Sequence, residues 1–270
     1  MRIPGKVFLV TGGGNGIGRE VVLALLAQGA RVAAVDLSAA GLEATAKLAG
    51  DVGERLSSHV VDVTDRAAVD ALPAAVIAAH GALDGCLLVA GIIQPFVPIA
   101  DLDEAAIDRV MAVNFHGPLH LTKVLLPHLL QRPEAHLVAI SSMGGFVPVP
   151  GQTAYGASKA ALKLLFEGLH SELTDTPVRV SIVFPGAVGT DIAVNSKAMS
   201  AADMEKASAG SNFPMLTPAE AARQILRGME RDRYHVLVGK DARLMDALVR
   251  IAPERAARMI WKQMQGLLKG

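Results

Sequence analysis

The chain has a single cysteine, Cys86, so no intrachain disulfide can form, and a reducing compartment, the cytoplasm, is the natural setting. Neither charge is in surplus. The 26 Lys and Arg balance 26 Asp and Glu, which removes the long-range electrostatic basis for a nucleic-acid partner. Long hydrophobic runs are also missing. The most apolar stretch, 85–100, is interrupted by Gln94, Pro95 and Pro98 and falls short of the ~20 residues a membrane-spanning helix needs. The N-terminal MRIPGKVFLVTGGG reaches a glycine-rich turn too soon to read as an export signal. There is no HExxH motif, no cysteine cluster, no internal repeat and no low-complexity tract. His116, His120 and His128 recur at helical spacing, but without a carboxylate partner they read as helix or interface histidines, and no metal is expected.

Hydrophobic residues make up 51% of the chain and charged residues 19%, enough apolar side chain for a large core. Seven short β-rich runs punctuate it: 6–10, 31–36, 56–63, 84–91, 135–141, 178–186 and 234–239. Unbroken apolar runs of this kind suit strands covered on both faces, and the long connections between them suit helical crossovers. The expected fold is α/β: a doubly wound, parallel, seven-stranded sheet with helices on both faces. One domain is expected over 1–239, followed by an amphipathic helical extension over 240–270. Segments 105–130 and 153–173 read as long helices with apolar residues on more than one face. The face left over by the sheet suggests a homo-oligomer, dimer or tetramer. Between Asp191 and Leu216 the chain turns polar and irregular and reads as a mobile lid.

After the first strand comes TGGGNGIG, residues 11–18, and then a helix-like stretch. Gly12 suits a tight turn out of the strand, Gly16 lets backbone N–H groups approach a pyrophosphate, and Gly18 permits close helix–strand packing. Asn15 and Ile17 belong to the same turn. Glycines occur in turns of every kind, so the context carries the reading: the motif lies between strand and helix, and the next strand ends in Asp36, 18 residues beyond Gly18. A carboxylate there can accept both hydroxyl protons of an adenosine ribose and repels a 2′-phosphate, which favours NAD over NADP. The neighbours Asn15 and Leu37 supply no Arg or Lys for a phosphate. The competing role for Asp36 is a plain cap before Ser38. Asp62 and Val63, at the end of the third run, are placed to meet the adenine ring.

The segment ISSMGGFVPVPGQTAYGASK sets Ser142 just past the fifth strand, with Tyr155 and Lys159 four apart on one face of the following helix. A phenol ionises near 10 and is a poor base at neutral pH. An ammonium ~4 Å away at an effective dielectric of ~20 is worth ~4 kcal/mol, at most about three pKa units. An oxidised nicotinamide ring acts in the same sense. Such a tyrosine can exchange a proton with an alcohol while Ser142 hydrogen-bonds the same oxygen.

With these motifs the chain resembles the short-chain dehydrogenase/reductase family, in its compact branch with one Rossmann-type domain. The resemblance rests on TGGGNGIG, Asp36, Asp62–Val63, Ala90–Gly91, NFHG at 114–117, the serines before YGASK, and PGAVGT at 185–190, in order, over residues 6 to about 240. It implies that Ser142, 13 residues before Tyr155, polarises the substrate oxygen and that Tyr155 is the general acid or base. It further implies that Lys159 binds the nicotinamide ribose, that Asn114 holds a water in a proton relay, that Pro185 and Gly186 turn beneath the nicotinamide, and that Val188 and Thr190 hold its carboxamide. Val89 departs from the family pattern, standing where an amide often supports the sheet and the catalytic helix.

The expected function is therefore NAD-dependent interconversion of a secondary alcohol and its ketone. The substrate is a small molecule, read as lipophilic from Ile92, Ile93, Phe96, Met143, Phe146, Val147, Ile192, Phe213 and Met215, with no positioned charge evident among the loops. Ile93, Ser142, Met143, Phe146 and Phe213 are the expected substrate contacts. Alternatives are an NADPH-dependent 3-oxoacyl-thioester reductase and, in another class, an NAD-binding sensor or scaffold without turnover. The tail 240–270 carries seven Lys or Arg against three acids, with Leu244, Leu248, Ile251, Ile260, Trp261, Met264, Leu267 and Leu268 at helical spacing. Packing on the body or an interface is preferred to a peripheral membrane contact.

Overall fold

A computed structural model describes residues 1–198 and 215–264. Seven strands form one sheet: β1 Val7–Thr11, β2 Arg31–Asp36, β3 Leu56–Val60, β4 Gly85–Leu88, β5 Ala135–Ile140, β6 Val178–Pro185 and β7 His235–Val238. Their order is β3-β2-β1-β4-β5-β6-β7, with every pair parallel. The order reverses between β1 and β4, so a crevice opens beyond the carboxyl ends of those strands, where doubly wound sheets bind ligands. The third apolar run ends sooner than the sequence suggests. Val61 still donates to the Asp36 carbonyl (3.0 Å), but Asp62 turns the chain by accepting from the Thr64 N–H (2.8 Å) and hydroxyl (2.7 Å).

Alternation along the strands explains the layers. From β1, Val7 and Leu9 face a core shared with α3 (Arg66–His80), α5 (Gly117–Leu129) and α6 (Thr153–Glu172). Phe8 and Val10 face the opposite core, filled by Val21, Val22 and Leu25 of α1 (Gly16–Ala27) and by Ile225 and Met229 of the helix Pro218–Glu230. Cys86 on β4 is fully buried in the first core, and burial pushes its thiol pKa up. The helix α2 (Ala39–Ala49) follows β2.

The long helix expected over 105–130 is two helices, α4 (Glu104–Met111) and α5, joined by a π turn over Ala112–His116. Proline supplies the reason. Pro118 has no N–H to donate to the carbonyl four residues back, and the ladder slips one residue, with Gly117 N–H bonded to the Ala112 carbonyl. Asn114 lies inside this turn and is fully buried.

Beyond β6 a short helix, α7 (Ile192–Asn195), begins the segment read as a lid. Residues 199–214 of that segment, Phe213 included, lie outside the described residues. The chain resumes with α8 (Pro218–Glu230), β7, α9 (Lys240–Ile251) and α10 (Pro253–Met264). The last two helices form a third apolar cluster: Met245, Ala256 and Ile260 pack with Val147, and Met143, Phe146 and Val149 lie against them. Leu244, Ile251 and Trp261 face outward, while Leu267 and Leu268 lie outside the described residues. Among the described residues, no helix is long and apolar enough to cross a membrane.

Asp84, just before β4, ties the base of the sheet together. It is 2% exposed, and its carboxylate accepts from the Val7 N–H (2.9 Å) and Arg132 Nε (2.8 Å), with Lys6 Nζ at 3.8 Å. Asp84→Ala leaves a buried N–H and a clustered pair of cations without their acceptor. The expected loss is about 2–4 kcal/mol of unfolding free energy, measured by urea denaturation.

Candidate active site

A cleft of about 1000 Å³ runs along the carboxyl ends of β1, β2, β4, β5 and β6. Its wall includes Gly12, Asn15, Gly16, Ile17, Gly18, Asp36, Asp62, Val63, Ala90, Gly91, Ser142, Tyr155, Lys159, Pro185, Gly186, Val188 and Thr190. Residues from position 12 to position 190 are thus brought into one groove.

At one end the glycine-rich turn leads into α1. The Asn15 side chain caps that helix by accepting from Gly16 N–H at 2.6 Å, and no acid stands in the first turn. Gly12 has φ +70°, where side chains are strained. A Cβ on Gly18 would come within 2.0 Å of the Gly12 carbonyl oxygen, so only glycine lets helix and strand approach this closely. Arg19 clasps the turn, its guanidinium bonded to the Gly14 carbonyl and, at 3.1 Å, to the Thr45 hydroxyl. The Asp36 carboxylate sits at the lip. One oxygen accepts from Gly14 N–H (2.9 Å) and the other from Ser38 N–H (2.8 Å), so the acid stabilises the turn while remaining on the cleft wall. Thr11 opens the glycine-rich motif without any signal in its spacing for a role of its own; its hydroxyl accepts from both Val89 N–H (3.0 Å) and Ala90 N–H (3.1 Å) and holds the opposite wall.

At the other end, Lys159 and Ser141 join α6 to the tip of β5. Lys159 Nζ donates to the Ile140 carbonyl at 2.9 Å, and the Ser141 hydroxyl donates to the Lys159 carbonyl at 2.8 Å. Ser142, next in the chain, hydrogen-bonds the Tyr155 phenol and accepts from Gly144 N–H at 3.0 Å. Asn114 reaches the same corner. Its amide accepts from Ile92 N–H (2.9 Å) and donates to the Ile92 carbonyl (2.9 Å) and the Ser158 hydroxyl (3.0 Å).

The electrostatics differ from the sequence argument. Burial raises the Tyr155 pKa, the Ser142 hydrogen bond opposes it, and burial pulls Lys159 down to about 8. The ammonium lies 5.9 Å from the phenol ring centre and spends its nearest bond on a carbonyl. Removing water from both groups therefore outweighs their mutual effect in the protein alone.

Toward the substrate side, Ile92 and Ile192 are on the cleft wall. Ile93 instead donates its N–H to the Ser196 hydroxyl at 3.0 Å, Met143 packs with the C-terminal helices, and Phe146 sets its ring edge-on to Phe184, 5.4 Å between centres. Charge is present in the cleft, against the expectation of none among the loops: Arg109, Asp191 and Lys197 all line it. These come from separate elements, and only the folded chain shows them together. The 187–189 strip pairs with Leu216 and is anchored from the C-terminal helices, Ala187 N–H donating to the Asp241 carboxylate at 2.7 Å. Among the described residues, no three His, Cys, Asp or Glu side chains are grouped to hold a metal ion.

Comparison with known proteins agrees with this architecture. The family model for short chain dehydrogenase matches residues 6–201. The SadH protein of Mycobacterium tuberculosis is 34% identical over 263 residues, which covers 95% of this chain and 94% of that protein. A short chain dehydrogenase/reductase from Burkholderia phymatum, solved in complex with NAD, superposes with a TM-score of 0.82 at 23% identity, covering 93% of this chain and 96% of the other. One from Burkholderia cenocepacia, in complex with NADP, gives 0.79 at 25% identity, covering 96% and 99%. The chain belongs to the short-chain dehydrogenase/reductase family of NAD(P)-dependent oxidoreductases.

Proposed function

We propose that the protein interconverts a lipophilic secondary alcohol and its ketone with NAD, Tyr155 exchanging the proton. The observation that carries this reading is the corner where Ser142 hydrogen-bonds the Tyr155 phenol, beside Lys159 and open to the cleft. The residues fit a dinucleotide: a helix N-terminus free of acids, a turn that only glycines can make, and a carboxylate at the lip. Gly12 to Gly18 would hold the pyrophosphate and Asp36 the adenosine ribose, with Asp62 and Val63 at the adenine. Pro185, Gly186, Val188 and Thr190 would flank the nicotinamide, and Ala90 and Gly91 the opposite side. When bound, NAD accepts or returns the hydride and its oxidised ring adds positive charge.

The chain's own residues handle the proton. In oxidation, Tyr155 as phenolate takes the hydroxyl proton while Ser142 donates a hydrogen bond to the same oxygen; in reduction the phenol returns it. Lys159 supports the phenolate and would hold the nicotinamide ribose, and Asn114 orders the route by which the proton leaves. Ile92 and Ile192 supply apolar wall for the substrate. Outward apolar residues, Leu164 on α6 and Leu130 past α5, support assembly as a homo-oligomer. The extension, over its described part 240–264, belongs to the body of the protein in this reading, and the buried free thiol of Cys86 suits the cytoplasm.

Three outcomes are expected. Tyr155→Phe keeps NAD affinity within about threefold but lowers kcat by about 10²–10⁴-fold, followed by nicotinamide absorbance; turnover within tenfold of the parent contradicts the assignment. Asp36→Ser relieves repulsion of a 2′-phosphate and lowers the NAD-to-NADP ratio of kcat/KM by about tenfold or more. Lys159→Met removes the cation beside the phenol, so the phenol pKa rises. Oxidation needs the phenolate, which exists above that pKa, and its pH profile moves up by about one pH unit. Because Lys159 itself loses its charge above about 8, parent and variant should differ most below that pH.

A further inference from the structure

The catalytic helix α6 begins without a cap of its own. Gln152 occupies the capping position but makes no side-chain bond to the first turn. The N–H groups of Ala154 and Tyr155 would then be buried donors without acceptors, a costly arrangement at a helix start. They are satisfied from elsewhere in the chain. Gln94, sixty residues upstream in the loop after β4, accepts from Ala154 N–H at 2.8 Å and from Tyr155 N–H at 3.0 Å through its single amide oxygen. Its amide nitrogen donates to the Gly151 carbonyl at 3.0 Å, and its own backbone carbonyl accepts from Gln152 Nε2 at 2.7 Å. Gln94 is 1% exposed.

We infer that Gln94 is a positioning residue for the proton-transfer step: it caps α6 in trans and, through the Tyr155 N–H, fixes where the phenol stands relative to Ser142. Three features favour this over simple filling of space. Both accepted bonds are to the second and third N–H groups of the helix, the pair that a capping side chain serves, and the second belongs to the tyrosine itself. The segment that carries Gln94 is held at Ile92 by Asn114 and at Ile93 by Ser196. That segment continues from the cleft wall at Ala90 and Gly91, so one short stretch joins the cofactor side to the start of α6. Finally, the Gln94 amide nitrogen and backbone carbonyl bind Gly151 and Gln152, so the same residue also holds the turn that leads into the helix.

The inference rests on the reading of Tyr155 as the proton-transfer group, and the experiment keeps the two separable. Gln94→Met conserves shape and removes both hydrogen-bonding arms. Gln94→Glu keeps accepting oxygens and adds a negative charge at the N-terminus of α6, where the helix dipole welcomes it. Each is measured for amide hydrogen exchange at Ala154 and Tyr155, NAD affinity, kcat, and the pH profile of oxidation. For Gln94→Met we expect those amides to exchange about tenfold faster or more, and kcat to fall about tenfold, with NAD affinity within about threefold of the parent. For Gln94→Glu we expect the amides to stay protected and the pH midpoint to rise by about half a pH unit, because a nearby anion disfavours the phenolate.

Unchanged exchange in Gln94→Met overturns the cap. Faster exchange with kcat and pH profile unmoved overturns the positioning role. If Gln94→Met does not fold, Gln94→Glu decides: a raised midpoint supports the inference and an unmoved one overturns it. Full turnover by Tyr155→Phe would instead defeat the underlying proton assignment and leave the exchange results standing.

Discussion

The site depends on how α6 is clamped to the sheet. Lys159 gives its ammonium to the last carbonyl of β5, and Ser141 returns a hydrogen bond to the Lys159 carbonyl, so helix and strand hold one another at a single turn. Every other spacing at the reacting end follows from that clasp. Ser142 is the next residue after Ser141, and Tyr155 is one helical turn before Lys159. Their side chains meet because the clasp leaves neither element free to slide. The parallel sheet explains why this happens at the cleft, since β5 and β4 both end there beside β1, at the point where strand order reverses.

Burial at this corner works in two directions. It removes the water that would otherwise compete for the phenol and the ammonium, and it also penalises the charged form of each. In the protein by itself the penalty dominates: Tyr155 is held protonated above its ordinary range, and Lys159 is drawn down to about 8. The corner is therefore set to answer to added charge. A cation bound in the cleft acts on a partly buried phenol, where a given charge has more effect than at a fully exposed surface. The response of the phenol to such a charge is then a property of the partly buried corner as much as of any single residue.

Much of the fold was legible because parallel strands buried on both faces leave unbroken apolar runs, and seven runs became seven strands. The ends were less clear. The third run continues through Val61 and Val63 although the sheet stops at Val60, since apolar character persists where Asp62 turns the chain. The 105–130 stretch reads as one helix by periodicity, and Pro118 was the available sign of the π turn that buries Asn114. In the cleft, the motif residues announced themselves through fixed local spacing. Arg109, Asp191 and Lys197 did not, because no spacing in the chain brings α4 beside α7. Phe146 looked like a substrate contact by its place in a loop, and the competing pull of an aromatic partner in the core, Phe184, turned it inward. Gln94 was visible only as an interruption of an apolar run; its meaning as a cap lies sixty residues away.

The protein has two tyrosines, Tyr155 and Tyr234, which makes the central claim directly observable. In Tyr234→Phe only the Tyr155 phenol remains, and its ionisation can be followed by ultraviolet difference absorbance as pH is raised, with and without saturating NAD⁺. The expected midpoint lies above the ordinary tyrosine value in the protein alone and moves clearly downward when NAD⁺ is bound. A phenol that titrates at the same pH in both states would contradict it.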